Sequence, residues 1–307
     1  MRRIVVFGSI IVAGGVIVVA ALAVSGSTQV VAKIDTGAGP CSEIGGFGGV
    51  WVGVAGAGSL ARVDPATNAV TGSVDVGFGP CGVAIGAGSV WVDGYGTSSV
   101  IRVDPARMKV TKRIPMRDQI WDVTYGDASV WATEPKRAYV DRINPKTNKV
   151  GRRIHIPKSG PANLRYGGGA VWVGSLFGNR VFRIDARTNR VTSVRVGQRP
   201  RSVAVTSSAV WVSNNGSNTV SRINPKTRKV VATIRVGQAP ENAAVASDGT
   251  VFVPNVGSDT VSRIDPATNT VIETIPVGAG PFPAANAFGD IWVPNSRGTE
   301  VFRLHVS

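Results

Sequence analysis

Short apolar runs alternate with clusters of turn-forming residues along the chain after about residue 30. Val-rich segments such as SVWVDG at 89–94 and AVWVGS at 170–175 are bounded by Gly, Pro, Asn or Asp. This pattern is typical of short β-strands joined by tight turns. No later segment combines a 3.6-residue apolar period with helix-capping residues. The pattern therefore predicts an all-β protein.

One unit of about 40 residues repeats along the chain. In each unit an aromatic residue lies in a strand-like segment: Trp51, Trp91, Trp131, Trp172, Trp211, Phe252 and Trp292. An arginine follows eleven residues later: Arg62, Arg102, Arg142, Arg183, Arg222, Arg263 and Arg303. Then comes a turn such as DPATN or NPKTN, in which Asp or Asn before Pro favours a type I turn.

The second unit shows how each repeat divides into strands. Strand A is CGVAIG, strand B SVWVDG, strand C SVIRVD and strand D KVTKRIP. Four strands in about 40–45 residues, repeated around an axis, indicate a β-propeller blade. The aromatic residues would then fill the core between blades, and the arginines would make ion pairs or carbonyl contacts between neighbouring blades.

The two ends of the chain predict how the ring closes. The chain ends at Ser307, just after strand C of the seventh unit, and the segment VVAKIDTGAGP at 30–40 matches VVATIRVGQAP at 230–240. The N-terminal strand would therefore complete the last blade and remove its open edge. We predict a seven-bladed β-propeller of four-stranded antiparallel blades over residues 28–307.

The N-terminal 27 residues predict export. Arg2 and Arg3 precede an uncharged apolar segment, residues 4–24, which is long enough to cross a bilayer as a helix. The positive charges would stay on the cytoplasmic side and place the propeller outside the cytoplasm. Ala21-Leu22-Ala23 also fits a signal-peptidase site, so the segment is either a cleaved signal peptide or a membrane anchor.

Composition narrows the chemistry. The net charge of +15 favours anionic partners, but export and the lack of a recognised motif argue against nucleic acid. Two Cys and two His residues exclude a disulfide-dense scaffold and a Cys/His zinc site. No Ser-His-Asp set, phosphate-binding loop or paired-carboxylate spacing indicates an enzyme.

The segment VWVSNNGSNTVSRINPKTRKVVATIRVGQAP resembles the YVTN-type β-propeller repeat, with WVSN at 211–214 in place of the naming tetrapeptide. FVPN at 252–255 and WVPN at 292–295 also fit. The resemblance covers nearly all of residues 30–307. It implies the fold, and it leaves function open, because these repeats occur in binding proteins, surface-layer proteins and a few enzymes.

The chain is also similar to the streptogramin B lyases (virginiamycin B lyases), metal-dependent propellers that open a cyclic depsipeptide. That resemblance implies histidines at the starts of inner strands A, directly after the repeat Pro. The matching residues here are Cys41, Cys81, Trp121, Ala162, Arg201, Glu241 and Phe282. None is histidine, so the resemblance does not carry over the family's catalytic residues.

Candidate ligand-binding residues lie where the repeat is irregular. The starts of strands A and the ends of strands B share one face around the central channel, the usual site in such folds. The candidates there are Glu43, Asp93, Asp122, Glu134, Asn163, Arg201, Asn214, Glu241, Asn242, Asn255 and Asn295. Among them Glu43, Asp122, Asn163, Asn242 and Asn255 carry oxygen donors that suit Ca²⁺ or Mg²⁺. The alternative is that these side chains only satisfy the backbone of turns.

Cys41 and Cys81 occupy equivalent positions in adjacent units, GPCSEI and GPCGVA. Neighbouring inner strands would place their Cα atoms about 6–8 Å apart, against a usual disulfide range of about 4.4–6.8 Å. In an oxidising compartment a disulfide is one interpretation, and two free thiols facing the channel is the other.

Positive charge is concentrated in the C–D turns of the middle units, opposite the channel mouth. The residues are Arg107, Lys109, Lys146, Lys149, Arg187, Arg190, Lys226, Arg228 and Lys229. They are either solvated turn residues or a surface for anionic lipid or wall polymer.

Three functions follow from the sequence. The first is a monomeric, non-catalytic module at the cell envelope that binds a protein or glycan at the channel mouth. The second is a metal-dependent lyase or lactonase acting on a cyclic ester, and the third a structural envelope protein.

Overall fold

The computed structural model describes residues 26–307. Residues 1–25, which include the expected signal peptide or anchor, lie outside the described residues. Within 26–307 no helix is long and apolar enough to span a bilayer.

The described chain forms 28 strands in seven four-stranded antiparallel sheets. It enters through β1 (Thr28–Asp35). Blade 1 contains β2 (Pro40–Gly46), β3 (Gly49–Val54), β4 (Ser59–Asp64) and β5 (Ala69–Asp75). Blade 2 contains β6 (Val83–Gly86), β7 (Ser89–Gly94), β8 (Ser99–Asp104) and β9 (Lys109–Pro115), with a 3₁₀ turn at Tyr95–Thr97. Blade 3 contains β10 (Val123–Gly126), β11 (Ser129–Glu134), β12 (Tyr139–Asn144) and β13 (Lys149–His155).

The remaining blades follow the same order. Blade 4 contains β14 (Pro161–Gly167), β15 (Ala170–Ser175), β16 (Arg180–Asp185) and β17 (Val191–Arg195). Blade 5 contains β18 (Pro200–Val205), β19 (Val210–Asn214), β20 (Thr219–Asn224) and β21 (Lys229–Arg235). Blade 6 contains β22 (Ala244–Val245), β23 (Val251–Asn255), β24 (Thr260–Asp265) and β25 (Thr270–Pro276). Blade 7 contains β26 (Ala285–Ala287), β27 (Asp290–Pro294) and β28 (Glu300–Val306).

Ring closure is as predicted. β1 pairs antiparallel with β28, from Thr28 opposite Val306 to Asp35 opposite Glu300, and so becomes the fourth strand of blade 7. The last blade therefore has no unpaired β28 edge. The all-β, seven-bladed architecture predicted from the sequence is confirmed.

The core lies between adjacent blades. Trp51 of blade 1, for example, packs with Val83 and Val90 of blade 2, and its Nε1 donates to the Gly46 carbonyl at 3.0 Å. Six of the seven repeat aromatics are tryptophans and one is Phe252, and all are buried. Each aromatic ring therefore fills the space between two blades. An indole N–H at this position can donate a hydrogen bond, as Trp51 does to Gly46.

Five repeat arginines tie a blade to its neighbour. Arg102 Nη1 donates to Pro145 O at 2.9 Å and Asn148 Oδ1 at 3.1 Å, both in the C–D turn of the next blade. Four other arginines donate equivalent hydrogen bonds to the next segment in the ring: Arg142 to Ala186, Arg222 to Pro266 and Asn269, Arg263 to Gly26, and Arg303 to Pro65 and Asn68. The predicted interblade role is confirmed for these five.

Arg62 and Arg183 do not reach the next blade. Arg62 Nη2 donates to Gly48 O of its own blade at 3.0 Å, and Arg183 lies 3.6 Å from Asp185 of its own blade. The position held by Asn68, Asn148 or Asn269 in other turns is Met108 and Arg228 in the turns that Arg62 and Arg183 would face. The thioether of Met108 is only a weak hydrogen-bond acceptor, and the positive charge of Arg228 repels a guanidinium group.

Candidate functional site

The mouth is the face at which strands A begin and strands B end. Here each D–A loop contacts a B–C loop, as where Ala55 N donates to Gly39 O at 2.8 Å and Gly79 N to Ala55 O at 3.3 Å. A cavity of 310 Å³ opens between these loops. Its lining includes Phe78, Cys81, Asp93, Tyr95, Trp121, Asn163, Arg201 and Phe282.

Arg201 is held against two aromatic rings. Its guanidinium carbon lies 5.1 Å from the centroid of Trp121 and 5.5 Å from that of Phe282. Its Nη1 is 3.0 Å from Glu241 Oε1. Cation–π contacts and a buried ion pair thus fix the guanidinium in the wall of the cavity.

Glu241 is the buried partner that positions Arg201. Ser202 Oγ donates to its Oε2 at 3.0 Å, and Asn215 Nδ2 donates to Oε1 at 3.3 Å. Burial raises the pKa of Glu241, and the Arg201 charge acts in the opposite direction. The carboxylate is fully engaged inside the protein and supports the mouth without facing it.

Asp93 fixes the start of strand A in blade 2. Its Oδ1 accepts hydrogen bonds from Cys81 N at 2.6 Å and Gly82 N at 2.7 Å. Burial raises the pKa of Asp93 well above its usual value, while these two backbone donors lower it. One carboxylate oxygen therefore satisfies a backbone turn that has no sheet partner of its own.

Cys41 and Cys81 are joined as a disulfide, with their Cα atoms 5.0 Å apart. This separation is shorter than the sequence estimate and lies within the usual range. The bond links blades 1 and 2 at the rim of the mouth cavity.

Trp121 is the aromatic centre of the mouth. Its Nε1 donates to Asn163 Oδ1 at 3.2 Å, and its ring meets Tyr95 edge to face with centroids 6.3 Å apart. A side cavity of 200 Å³ adjoins it, lined by Tyr95, Gln119, Trp121, Pro135, Lys136, Leu176 and Phe177. Phe78 and Phe177 flank this cluster and are 70% and 66% exposed.

Below the mouth, Asp122 lies between two strands A. Its Oδ2 accepts from Arg165 Nη1 at 2.7 Å and from Leu164 N at 3.1 Å, and its Oδ1 accepts from Val123 N. Burial raises the pKa of Asp122, and Arg165 opposes the rise. The pair joins blade 3 to blade 4 across the channel wall.

Glu43 and Asn242 line a deeper part of the channel, a cavity of 480 Å³ that also includes Arg165. Neither carboxylate oxygen of Glu43 has a hydrogen-bond partner, and the same holds for Asn242 Oδ1. Burial raises the pKa of Glu43 well above its usual value, and the Arg165 charge acts against this. Burial thus favours the neutral form of Glu43 more than water does for an exposed carboxyl group.

Six predicted residues line none of the three cavities: Asp122, Glu241, Glu134, Asn214, Asn255 and Asn295. Glu134 is buried and accepts from Arg117 N at 2.9 Å and Arg117 Nη2 at 3.3 Å. Asn214 and Asn255 donate from Nδ2 to Ser221 Oγ at 2.9 Å and Ser262 Oγ at 3.0 Å. Asn295 is also buried. Glu134 therefore stabilises the D–A loop that leads into blade 3, and Asn214 and Asn255 stabilise the B–C loops of their own blades.

The oxygen donors proposed for Ca²⁺ or Mg²⁺ are distributed over the channel. Asn163 belongs to the mouth, Glu43 and Asn242 to the deeper cavity, and Asn255 to a B–C loop. Within residues 26–307 no group of three or more His, Cys, Asp or Glu side chains is placed to hold a metal ion.

Both histidines lie away from the mouth. His155 is in the outer strand β13, and His305, in β28, is 2.7 Å from Asp290 through its Nδ1. Neither lines the mouth cavity, its side cavity or the deeper cavity.

No protein-family model and no curated protein sequence matches the chain. Among solved structures, a streptogramin B lyase has a TM-score of 0.81 and 14% identity, covering 94% of this chain and 100% of that chain. The fold is that of the streptogramin B lyases. Virginiamycin B lyase from Staphylococcus aureus has a TM-score of 0.79 and 16% identity, over 92% of this chain and 99% of that one.

The same architecture extends to other propellers. The WD40 β-propeller domain of Doa1 has a TM-score of 0.74 and 12% identity, covering 90% of this chain and 96% of that chain. Similarity at this level of identity establishes the fold, and the fold alone does not specify an activity.

Phe78, Tyr95 and Phe177 were not among the residues predicted from the sequence. One signal was present: Phe78 takes the place that Ala38 and Ala279 hold in otherwise identical GAGP segments. A bulky aromatic residue in an exposed loop breaks the repeat and serves no interblade packing, which marks it as a candidate contact residue.

Proposed function

We propose that this chain is an exported, non-catalytic binding module of the cell envelope, and that its mouth cavity takes an apolar or aromatic side chain from a partner protein. The proposal rests on one observation. The mouth is lined by aromatic rings, and Asp93, Asn163 and Arg201 each have a partner within the protein, with Asp93 Oδ2 and Arg201 Nε left without one. Export is inferred from the charged start and the apolar segment at residues 4–24.

The hydrogen bonds of the mouth favour a protein partner over a glycan. Arg201 is paired with Glu241, Asn163 with Trp121, and Asp93 with two backbone N–H groups. A glycan needs many free donors and acceptors, whereas an apolar side chain gains by leaving water for an aromatic pocket. Exposed Phe78 and Phe177 extend the apolar surface beyond the cavity.

Exposed aromatic side chains are energetically unfavourable in water unless a binding partner covers them. Large rings that cluster at a concave site are typical of binding surfaces, where they contribute most of the affinity. Phe78, Tyr95, Trp121, Phe177 and Phe282 come from four different blades and meet only at the mouth. This convergence supports a ligand site at the mouth.

Metal-dependent lyase or lactonase activity is the second candidate, and the shared fold with streptogramin B lyases favours it. The positions of the two histidines argue against it, because His155 is on the outer strand β13, His305 is on strand C of blade 7, and neither lines a cavity of the channel. One solved lyase is a catalytically inactive variant with quinupristin. Incubation of this protein with quinupristin and Mg²⁺ therefore tests the candidate, and release of a linear product by mass spectrometry would replace our proposal.

Trp121 provides a direct test of binding. The other six tryptophans are at most 2% exposed, so acrylamide quenches chiefly the fluorescence of Trp121. We expect short blocked peptides carrying Trp, Phe or Leu to protect Trp121 from quenching, and soluble oligosaccharides to leave quenching unchanged. Phe78→Ser should weaken the protecting peptide by about 10-fold or more, since one buried aromatic contact is worth about 1.5–3 kcal/mol.

The matched control is Phe288→Ser, which removes an exposed Phe from the face opposite the mouth. It should leave peptide protection unchanged. Protection by oligosaccharides alone would contradict the choice of a protein partner. No protection by either class at millimolar concentration would contradict the binding site itself.

A further inference from the structure

The face opposite the mouth, here the distal face, carries the A–B and C–D turns. Its exposed positive charge is concentrated in the C–D turns. In the C–D turns of blades 2 to 5, exposed cations occupy the tips: Arg107, Lys146, Arg187, Lys226 and Arg228. Within residues 26–307 only Arg107 of these five has an ion-pair partner, Asp104 at 2.8 Å.

Three cations at the mouth are held in ion pairs, whereas the exposed Lys136, Lys158 and Arg297 on that face have no ion-pair partner within residues 26–307. Arg117 contacts Glu134, Arg137 lies 3.7 Å from Asp118, and Arg201 contacts Glu241. The distal face differs in arrangement, because its exposed cations recur at the C–D turn tips of four successive blades and so lie side by side, where they can attract an anionic surface together.

The described chain also begins on the distal face. β1 runs from this face towards the mouth, because Thr28 pairs with Val306 and Asp35 with Glu300. Arg263 Nη1 holds Gly26 O at 2.5 Å, and Ser307 N donates to Ser27 O at 3.3 Å. The uncharged segment 4–24 thus precedes, by one residue, a point fixed on this face.

Two exposed phenylalanines lie on the same face. Phe47 and Phe288 occupy the A–B turns of blades 1 and 7, which are neighbours in the ring, and are 44% and 49% exposed. Both have positive φ, 50° and 53°, a conformation that is uncommon for bulky residues. The chain places two large rings in solvent on the distal face, in the inner turns of the blade that β1 completes and of the neighbouring blade.

We propose that the distal face docks on an anionic lipid bilayer, with the mouth turned away from the membrane. Phe47 and Phe288 enter the interfacial region from blades 1 and 7, as aromatic residues do in interfacial anchors. The turn cations of blades 2 to 5 contact anionic headgroups on the other side of the ring, each a modest contribution that falls off within a Debye length.

A bilayer accounts for these features together. A soluble polyanion such as a wall polymer would use the cations but not the two phenyl rings. A segment 4–24 that stays in the membrane would bring the distal face, not the mouth, to the surface. The inference is independent of the ligand at the mouth and would survive its failure.

Vesicle sedimentation tests the proposal with residues 26–307, which contain all 28 strands and the ring closure. The probes are phosphatidylcholine vesicles and vesicles with a third of the lipid replaced by phosphatidylglycerol. We expect binding to the anionic vesicles only, weakened by rising salt. Lys146→Glu/Arg187→Glu/Lys226→Glu should lower the affinity on the order of 100-fold, and Phe47→Ser/Phe288→Ser should lower it independently.

Matched control variants make the same change in charge, and remove the same number of exposed rings, at the mouth. Lys136→Glu/Lys158→Glu/Arg297→Glu makes the same charge change on exposed mouth residues, and Phe78→Ser/Phe177→Ser removes two exposed rings there. Both should retain vesicle binding. Loss of binding in the mouth variants alone would overturn the proposed orientation.

Two other results would overturn the proposal. One is binding of soluble polyphosphate without binding of anionic vesicles, which would assign the distal face to a polymer. The other is equal binding of the charge-reversed distal variant and the unaltered protein. Circular dichroism and thermal unfolding of each variant establish that the surface changes leave the fold intact.

Discussion

Arg303 in the last blade donates from Nη1 to Asn68 Oδ1 in the first blade at 2.8 Å, across 235 positions of sequence. The same Nη1 contacts Pro65 O, and the guanidinium carbon lies 5.2 Å from the Trp292 ring centroid. One side chain thus joins the two blades that the ring must bring together.

Arg303→Ala should destabilise the protein by about 2–3 kcal/mol, because hydrogen bonds from a charged donor contribute about 1.5–3 kcal/mol. Arg183→Ala is the control, since Arg183 holds the same repeat position and reaches only Asp185 in its own blade. Arg183→Ala should lower the free energy of unfolding by less than about 1 kcal/mol. Urea unfolding of both variants measures the difference, and equal losses would refute the interblade role.

Removal of β1 should prevent folding. A chain that starts at Gly26 retains the β1–β28 ladder, whereas one that starts at Thr36 leaves β28 as an unpaired edge. We expect the first to be monomeric with a cooperative thermal transition and the second to aggregate or remain unfolded. Size-exclusion chromatography and circular dichroism distinguish the two. A stable monomer that starts at Thr36 would contradict the closure mechanism.

Thiol titration and mass spectrometry show whether Cys41 and Cys81 form a disulfide in the purified protein. Protein purified without reductant should react with no thiol reagent in denaturant, and mass spectrometry should find a gain of two hydrogens after reduction. Cys41→Ser/Cys81→Ser should lower stability by about 2–4 kcal/mol, since the bond closes a loop of 40 residues. Two reactive thiols in the untreated protein would instead support the free-thiol interpretation.

Glu43 predicts a pH dependence. Burial raises its pKa in the folded protein well above 4.5, so its contribution to stability is complete below 4.5 and is lost as pH rises through the folded pKa. Glu43→Gln removes this loss. As pH rises above 4.5, the free energy of unfolding of the variant should increasingly exceed that of the unaltered protein. The difference should reach on the order of 1–3 kcal/mol.

Glu134→Gln is the control for Glu43. Glu134 is buried as well, but it accepts two hydrogen bonds from Arg117. Its replacement should destabilise the protein. Urea unfolding at pH 4, 6 and 8 compares the two variants, and a Glu43→Gln protein that falls below the unaltered protein at pH 8 would show that Glu43 has a partner.

Addition of millimolar Ca²⁺ or Mg²⁺ should leave Tm unchanged. Asp122 is bound by Arg165 and by backbone N–H groups, and Asn255 by Ser262 and Thr260. A ligand that binds only the folded state raises Tm by mass action. A rise in Tm that EDTA reverses would therefore establish a metal site and revive the metal-enzyme candidate.

Much of the mouth could not be predicted because its residues have no common position in the repeat. Asp93, Asn163 and Arg201 were identified from irregular strand ends, and they do line the cavity. Asn214 and Asn255 had the same sequence signal, yet their side chains turn to Ser221 and Ser262. Strand position specifies which face a residue occupies, and only packing decides where its side chain makes hydrogen bonds.

The sequence by itself determined the blade number, the strand order and the closing strand. Each blade needs the same contacts, so the aromatic and arginine positions recur every 39 to 41 residues and are visible without coordinates. Tertiary structure alone decided which loops meet. Phe78, Tyr95 and Phe177 come from three separate loops that packing brings together, and Phe282 of blade 7 joins Phe78 and Tyr95 at the mouth only because the ring closes. Closure also fixed the start of β1 on the distal face, since β1 must run antiparallel to β28.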